Sequence, residues 1–135
     1  MRTWDELYEA ALTKLNPRTV SPFIEAGGVA AAIGTEKGSI YCGVCMDTAC
    51  SLGMCAERAA IAAMITAGES RIRRIVCLME NRKPGMPCGA CRELMMQLDR
   101  ESGSIEILTE YPEVRIITLK ELVPAWWGRE RFNDK

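Results

Sequence analysis

The sequence predicts an α/β fold in which helices cover a mixed, partly parallel sheet of about five strands. Three observations carry that expectation. Apolar segments of strand and helix type alternate in the order α-β-β-α-β-α-β-β, the pattern of helices laid on a sheet. Residues 72–78 run into the apolar stretch Ile75-Val76-Cys77-Leu78, as a strand buried on both faces does. The chain has 135 residues, 48% of them apolar, which suits one core and leaves little room for two, so residues 1–135 are expected to form a single domain.

Taken in order, residues 3–16 read as an amphipathic helix. Thr3 and Glu6 have capping-box spacing, and Trp4, Leu7, Ala11 and Leu15 recur on one face. Pro17 ends it. Residues 22–28, which hold Pro22, Gly27 and Gly28, are expected to form a loop. Strands follow at 29–33 and 40–46, joined by a hairpin turn at Glu36-Lys37-Gly38-Ser39. A second helix starts near Cys55 and runs to Ala67, with Gly68 as its stop. Its segment 59–65 is apolar all round and needs cover on more than one side; a subunit interface would supply it. Beyond it come a strand at 72–78, a loop at 81–87 and a third helix at 88–98, with Cys91, Leu94, Met95 and Leu98 on one stripe. Short strands at 105–109 and 114–118 and a helical turn at 120–123 precede Pro124.

Charge and residue usage narrow the chemistry. Seventeen basic against eighteen acidic residues give a net charge of −1, so no nucleic-acid partner is expected. Histidine is absent, which removes Ser-His and Cys-His nucleophile systems and every imidazole ligand. Proton transfer near neutral pH then falls to a carboxylate, a thiol or a perturbed lysine. The first residues carry early acids and no apolar core of a secretory signal. The longest apolar run, 59–65, is far short of the ~20 residues of a membrane span. A cytoplasmic, reducing setting and no membrane partner are therefore expected. There the seven cysteines, an odd number, are more often metal ligands or catalytic groups than disulfides.

Two segments carry the chemistry: Cys55-Ala56-Glu57-Arg58 and Pro87-Cys88-Gly89-Ala90-Cys91, each at a helix start. Cys88 and Cys91, three apart, share a helix face. Helix N-termini favour thiolates, and two facing termini can set three around Zn²⁺. Three protein ligands leave the fourth tetrahedral position to water, the pattern of a catalytic site. Glu57 stands where a carboxylate could carry that water's proton to a substrate nitrogen, and Arg58 can offset the excess negative charge of three thiolates.

Cys-Ala-Glu followed after 33 positions by Pro-Cys-x-x-Cys resembles the cytidine deaminase superfamily, and CAER with PCGACR resembles its small homotetrameric nucleoside deaminases. The likeness covers most of the chain. Residues Val29-Ala30-Ala31-Ala32-Ile33 resemble the family's first strand, and Leu122-Val123-Pro124-Ala125-Trp126-Trp127-Gly128 its C-terminal motif. The resemblance implies a three-layer α/β/α fold, a homotetramer, and zinc-dependent conversion of a cytosine nucleoside to the uracil nucleoside and ammonia. It implies Zn²⁺ on Cys55, Cys88 and Cys91, and Glu57 as the proton carrier. Substrate contacts fall to Ala56 and Met86 for the base, to Cys45 and Asp47 for the sugar, and to Trp127 as a wall of a neighbouring subunit's pocket.

The chain departs from the family at the sugar. Cys45-Met46-Asp47 stands where the family has Asn-x-Glu, the segment from Asp47 to Cys55 is one residue shorter, and Gly27 replaces an aromatic. Blasticidin S deaminases, of the same superfamily, also vary this segment, so a substrate of that kind or another aminated heterocycle is the alternative. A structural zinc module closed by Cys45 or Cys50, and a deaminase acting on nucleic acid, are readings from other classes.

Overall fold

The computed structural model describes residues 1–133. Helix α1 spans Trp4–Lys14, with Thr3 as its N-cap and the reciprocal Thr3–Glu6 capping box in place. Strands β1 (Arg18–Ser21), β2 (Ile24–Thr35) and β3 (Ile40–Thr48) follow, then α2 (Ala56–Thr66), β4 (Ile72–Leu78) and α3 (Gly89–Leu98). A 3₁₀ turn at Ser102–Ser104 leads to β5 (Glu106–Glu110), β6 (Arg115–Thr118), α4 (Leu119–Leu122) and α5 (Arg129–Asn133).

Strand β2 is the hub of the sheet. It pairs antiparallel with β1, β3 and β4, so that Ile33 lies opposite both Tyr41 and Ile75. Strand β4 pairs parallel with β5, the partner to which α3 carries the chain, and β5 pairs antiparallel with β6. Alternation along these strands splits the core in two. Ala32, Val76, Leu78 and Leu108 pack under α1 with Trp4, Leu7 and Ala11. Ala31, Ile33, Ile75 and Ile107 face the other way, toward Ala60, Ile61 and Met64 of α2 and Met95 and Met96 of α3. These are the three expected layers.

The sheet has six strands rather than about five. The difference lies at residues 18–28: a loop is expected over 22–28, and a hairpin of β1 with the first half of β2 forms instead. Pairing there runs Arg18 with Ala26 and Thr19 with Glu25, shifts register between Thr19 and Ser21, and is followed by a bulge in the β2–β3 pairing between Ala26 and Ala30. Gly27 takes φ +83° inside the strand, which a side chain would resist. The glycines that signal a loop in the sequence are therefore the means by which a long strand bends. Helix α5, at the end of the described residues, is also not foreseen.

Helix α2 is covered on one side only within the chain. Ala56, Glu57, Ala60, Ile61 and Met64 are buried against the sheet, whereas Ala62, Ala63 and Ile65 are exposed. Among the described residues no helix is long and apolar enough to cross a membrane.

Candidate active site

The site forms where α2 and α3 begin, beside the C-terminal end of β4. Both helices open on cysteine: Cys55 is the N-cap of α2 and Cys88 of α3, each with extended backbone and neither spending its side chain on the cap. Paired hydrogen bonds between Met46 and Met54, at 2.9 and 3.0 Å, tie the residue before Cys55 to β3. Helix α2 is seated by Gly43, where a Cβ would fall 2.4 Å from the Ala60 nitrogen and 2.6 Å from the Ala56 oxygen. The approach to α3 is held by the Gly85 N–H donating to the Cys77 carbonyl at 2.8 Å and by buried Pro87.

These supports bring Cys55, Cys88 and Cys91 together, with all three sulfurs within 4.8 Å of one another. Cys55 Sγ lies 3.4 Å from Cys88 Sγ, which lies 3.3 Å from Cys91 Sγ. Cys45 and Cys50 are not in the group. Burial works against a Cys88 thiolate. It is outweighed by the N–H of Cys91, the neighbouring thiols and the N–H of Ala90, so the group titrates below an ordinary thiol. Cys91 is fully buried, and burial followed by the charge of nearby Glu57 pushes its thiol up. The Arg58 guanidinium donates to Cys55 Sγ at 3.7 Å, and that bond holds its proton more tightly.

Glu57 is 4% exposed, on the first turn of α2, with the Cys77 thiol of β4 as a hydrogen-bonding neighbour. It stands near Cys77 of β4 as well as Cys91. Burial, then Glu57, then Cys45 and Cys55 raise the Cys77 thiol. A carboxylate buried against only a weak thiol donor is costly unless something else meets it there.

The donor set fits a thiophilic metal. Thiolates about 2.3 Å from a tetrahedral zinc stand roughly 3.8 Å apart, so the observed spacing needs an opening of only a few tenths of an ångström. The nearby guanidinium and two helix N-termini are the positive groups that three thiolates need.

Other residues singled out in the sequence are placed unequally. Ala56 is buried directly after Cys55, and Met86 is exposed just before Pro87. Cys45 lies on β3 with its sulfur accepting the Val29 N–H at 3.2 Å. Asp47 is exposed farther along β3, opposite Glu25. A cavity of about 420 Å³ is lined by Val29, Cys45, Asp47 and Glu80, and a cleft beside it by Asp47, Cys55 and Arg58. Trp127 lines neither. Its indole N–H and that of Trp126 both donate to Glu93 on α3, at 3.1–3.2 Å. Sequence reasoning missed Glu80, Gly43 and the nearness of Cys77 to Glu57. For Glu80 a signal existed, because an acid directly after a strand of an α/β sheet lies where ligands bind.

No family model matches the chain. Related sequences do. A cytidine deaminase of Halalkalibacterium halodurans is 31% identical over 108 residues, 78% of this chain and 81% of that relative. A cytidine deaminase of Mycobacterium tuberculosis is 31% identical over 101 residues, 74% of this chain and 72% of that relative. Among solved structures, cytidine deaminase from Burkholderia pseudomallei superposes with a TM-score of 0.74 at 29% identity, covering 92% of this chain and 98% of that one. Cytidine deaminase from Mycobacterium leprae gives a TM-score of 0.74 at 28% identity, covering 92% of this chain and 99% of that one. Since this kinship in sequence and backbone runs through most of the molecule, the chain belongs to the cytidine deaminase family.

Proposed function

We propose that this deaminase hydrolyses the amino group of a cytosine nucleoside, giving the uracil nucleoside and ammonia, at a zinc ion held by Cys55, Cys88 and Cys91. The observation that carries the reading is the pairing of a three-thiol group, which takes in neither Cys45 nor Cys50, with a buried carboxylate close beside it. A closed structural site would need a fourth protein ligand and would have no use for Glu57.

Zinc at such a site supplies Lewis acidity that brings the pKa of a water toward neutrality. The chain's own residues handle the protons. Glu57 takes one from the attacking water and delivers it to ring N3, making C4 the electrophile. It then relays a second proton to the departing amine, so that water is consumed and ammonia released. Burial keeps bulk water from competing for those transfers. Arg58 stabilises the Cys55 thiolate and so tempers the negative charge around the metal. Backbone groups at Ala56 and Met86 hold the base, and Asp47, with Cys45 behind it, faces the sugar. The exposed apolar side of α2 is the natural contact for further copies in a homotetramer, in which Trp127 would wall a neighbour's pocket. Three reduced thiols in one site suit a cytoplasmic setting.

Metal analysis tests the first half of the reading: about one zinc per chain is expected, lost together with ammonia release on chelation and restored with zinc. Substituting Cys45 and Cys50 in turn tests the second. Loss of zinc in either variant would favour a closed structural site.

A further inference from the structure

Glu57 opens the buried stripe of α2. With Ala60, Ile61 and Met64 it recurs at helical spacing on the face that meets the sheet, an acid at the head of an otherwise apolar row. The helix backbone fixes its Cα, and Gly43 seats the helix, but the torsions of a flexible side chain still lie between that Cα and the carboxyl group. A proton carrier works only if those torsions are held, because transfer needs the carboxyl within hydrogen-bond reach of its partners.

The side chain that meets it is Cys77. This residue stands in the interior of β4 directly across from Ala31 of β2, and residues paired in this way share a face of the sheet. Ala31 packs with Ala56 and Ala60 of α2, while Val76 and Leu78, the strand neighbours of Cys77, turn to α1. Alternation therefore aims the thiol toward α2. Its backbone is held from both sides, by the pairing with β2 and by the Gly85 N–H, which donates to its carbonyl at 2.8 Å on the way to Cys88. Cys77 and Glu57 are each 4% exposed, so their contact lies away from bulk water. A cysteine on an interior strand is ordinarily a small apolar filler. Among the described residues, however, Cys77 belongs to neither apolar cluster of the core. Burial above all keeps its thiol protonated and so a donor, with the Glu57 carboxyl as its neighbour.

We propose that Cys77 is a positioning residue for the deamination: from the rigid strand β4 its thiol donates to the Glu57 carboxyl and holds the side chain that carries the protons. The inference rests on the proton-carrying role of Glu57 and names the group that keeps it in place.

The test uses the zinc-loaded full chain and two variants. Cys77→Val nearly keeps the volume and removes the donor; Cys77→Ser keeps a donor in a smaller, more polar group. Cys77→Val is expected to lower kcat for cytidine by roughly three- to tenfold, with KM changed by less than about twofold and zinc content unchanged, because the contact serves a step rather than binding. Cys77→Ser should recover most of that loss. A filling role predicts the reverse order, with Cys77→Val near wild type and Cys77→Ser the damaged protein. Wild-type kcat in Cys77→Val, or Cys77→Ser no faster than Cys77→Val, overturns the inference. Infrared spectroscopy reads the contact without turnover and decides the matter if Cys77→Val does not fold. With zinc bound the ligand thiols carry no S–H, and the difference between wild type and Cys77→Ser isolates the Cys77 S–H stretch. That band should move to higher frequency in Glu57→Gln, whose amide is the weaker acceptor. A band that stays in place overturns the inference. A wild type that releases no ammonia from cytidine overturns the functional reading instead, while the band still reports whether the thiol is bonded to Glu57.

Discussion

Gly43 on β3 and Ala60 on α2 are in backbone contact: no side chain at residue 43 could fit, because its Cβ would stand 2.4 Å from the Ala60 nitrogen. The contact sets how close α2 lies to the sheet. It thereby sets where Cys55 and Glu57 arrive at the head of that helix.

Gly43→Ala should therefore do more than loosen the core. Overpacking of this kind costs about 1–3 kcal/mol, so the thermal midpoint should fall by roughly 4–15 °C in a chain of this size. Zinc affinity should fall with it, because one of three ligands rides on the displaced helix. Thermal denaturation and a chelator competition read the two effects. A variant with an unshifted midpoint and unchanged zinc affinity would show that the helix does not depend on this seat.

The legibility of the sequence follows from the range of the interactions involved. Thr3 and Glu6 announce a helix start because the capping box is local, and it is present as expected. The grouping of Cys55, Cys88 and Cys91 is readable because cysteine spacing at helix starts is also a local pattern. The β1–β2 hairpin was not, because Gly27 means loop or bulge depending on whether β3 and β1 arrive to pair with its neighbours. Glu80 becomes part of a groove only once β4 is laid beside β2 and Gly28 leaves it space, which no period in the sequence encodes. Trp127 is a different case. Its place in a family motif implies a wall of a neighbouring subunit's pocket, a role that one chain does not contain; within the chain its indole N–H donates to Glu93 on α3.

Arg58 sits at the thiol group at some cost. Its Nε is shut from water with no acceptor among the described residues, a penalty of about 1–3 kcal/mol for a buried donor, while Nη2 reaches Cys55 at 3.7 Å. Arg58→Ala is expected to weaken zinc binding by roughly ten- to a hundredfold with the fold retained. Arg58→Lys should recover part of the loss by restoring the charge without the fork. Competition against a metallochromic chelator measures both, and an alanine variant with wild-type zinc affinity would remove Arg58 from the metal's support.

The far end of α2 is tied down by Glu69, which accepts from the Tyr41 hydroxyl on β3 at 2.6 Å. Hydrogen bonds from Ser39, Thr35 and Tyr41 bring its carboxyl from 4.5 down to about 2. A depressed carboxyl stabilises the folded chain above its unfolded pKa, and that contribution is lost as pH falls through the folded value. Wild type and Glu69→Gln should thus differ most in stability above about pH 5 and converge as the pH approaches 2. Denaturant titrations across that interval check it. A stability difference that stays constant across it would mean the Glu69 contacts do not depend on its charge.

The most direct test of the proton-carrying role is to replace Glu57 by Gln and measure zinc content, thermal stability and ammonia release from cytidine on the same preparation. Shape is kept and the transferable proton is removed. The outcome expected is about one zinc per chain in both proteins, a thermal midpoint near that of the wild type, and turnover slowed by roughly 10²–10⁴-fold in the variant. Ammonia release from the Gln variant at a rate comparable to the wild type would contradict the assignment of proton transfer to Glu57.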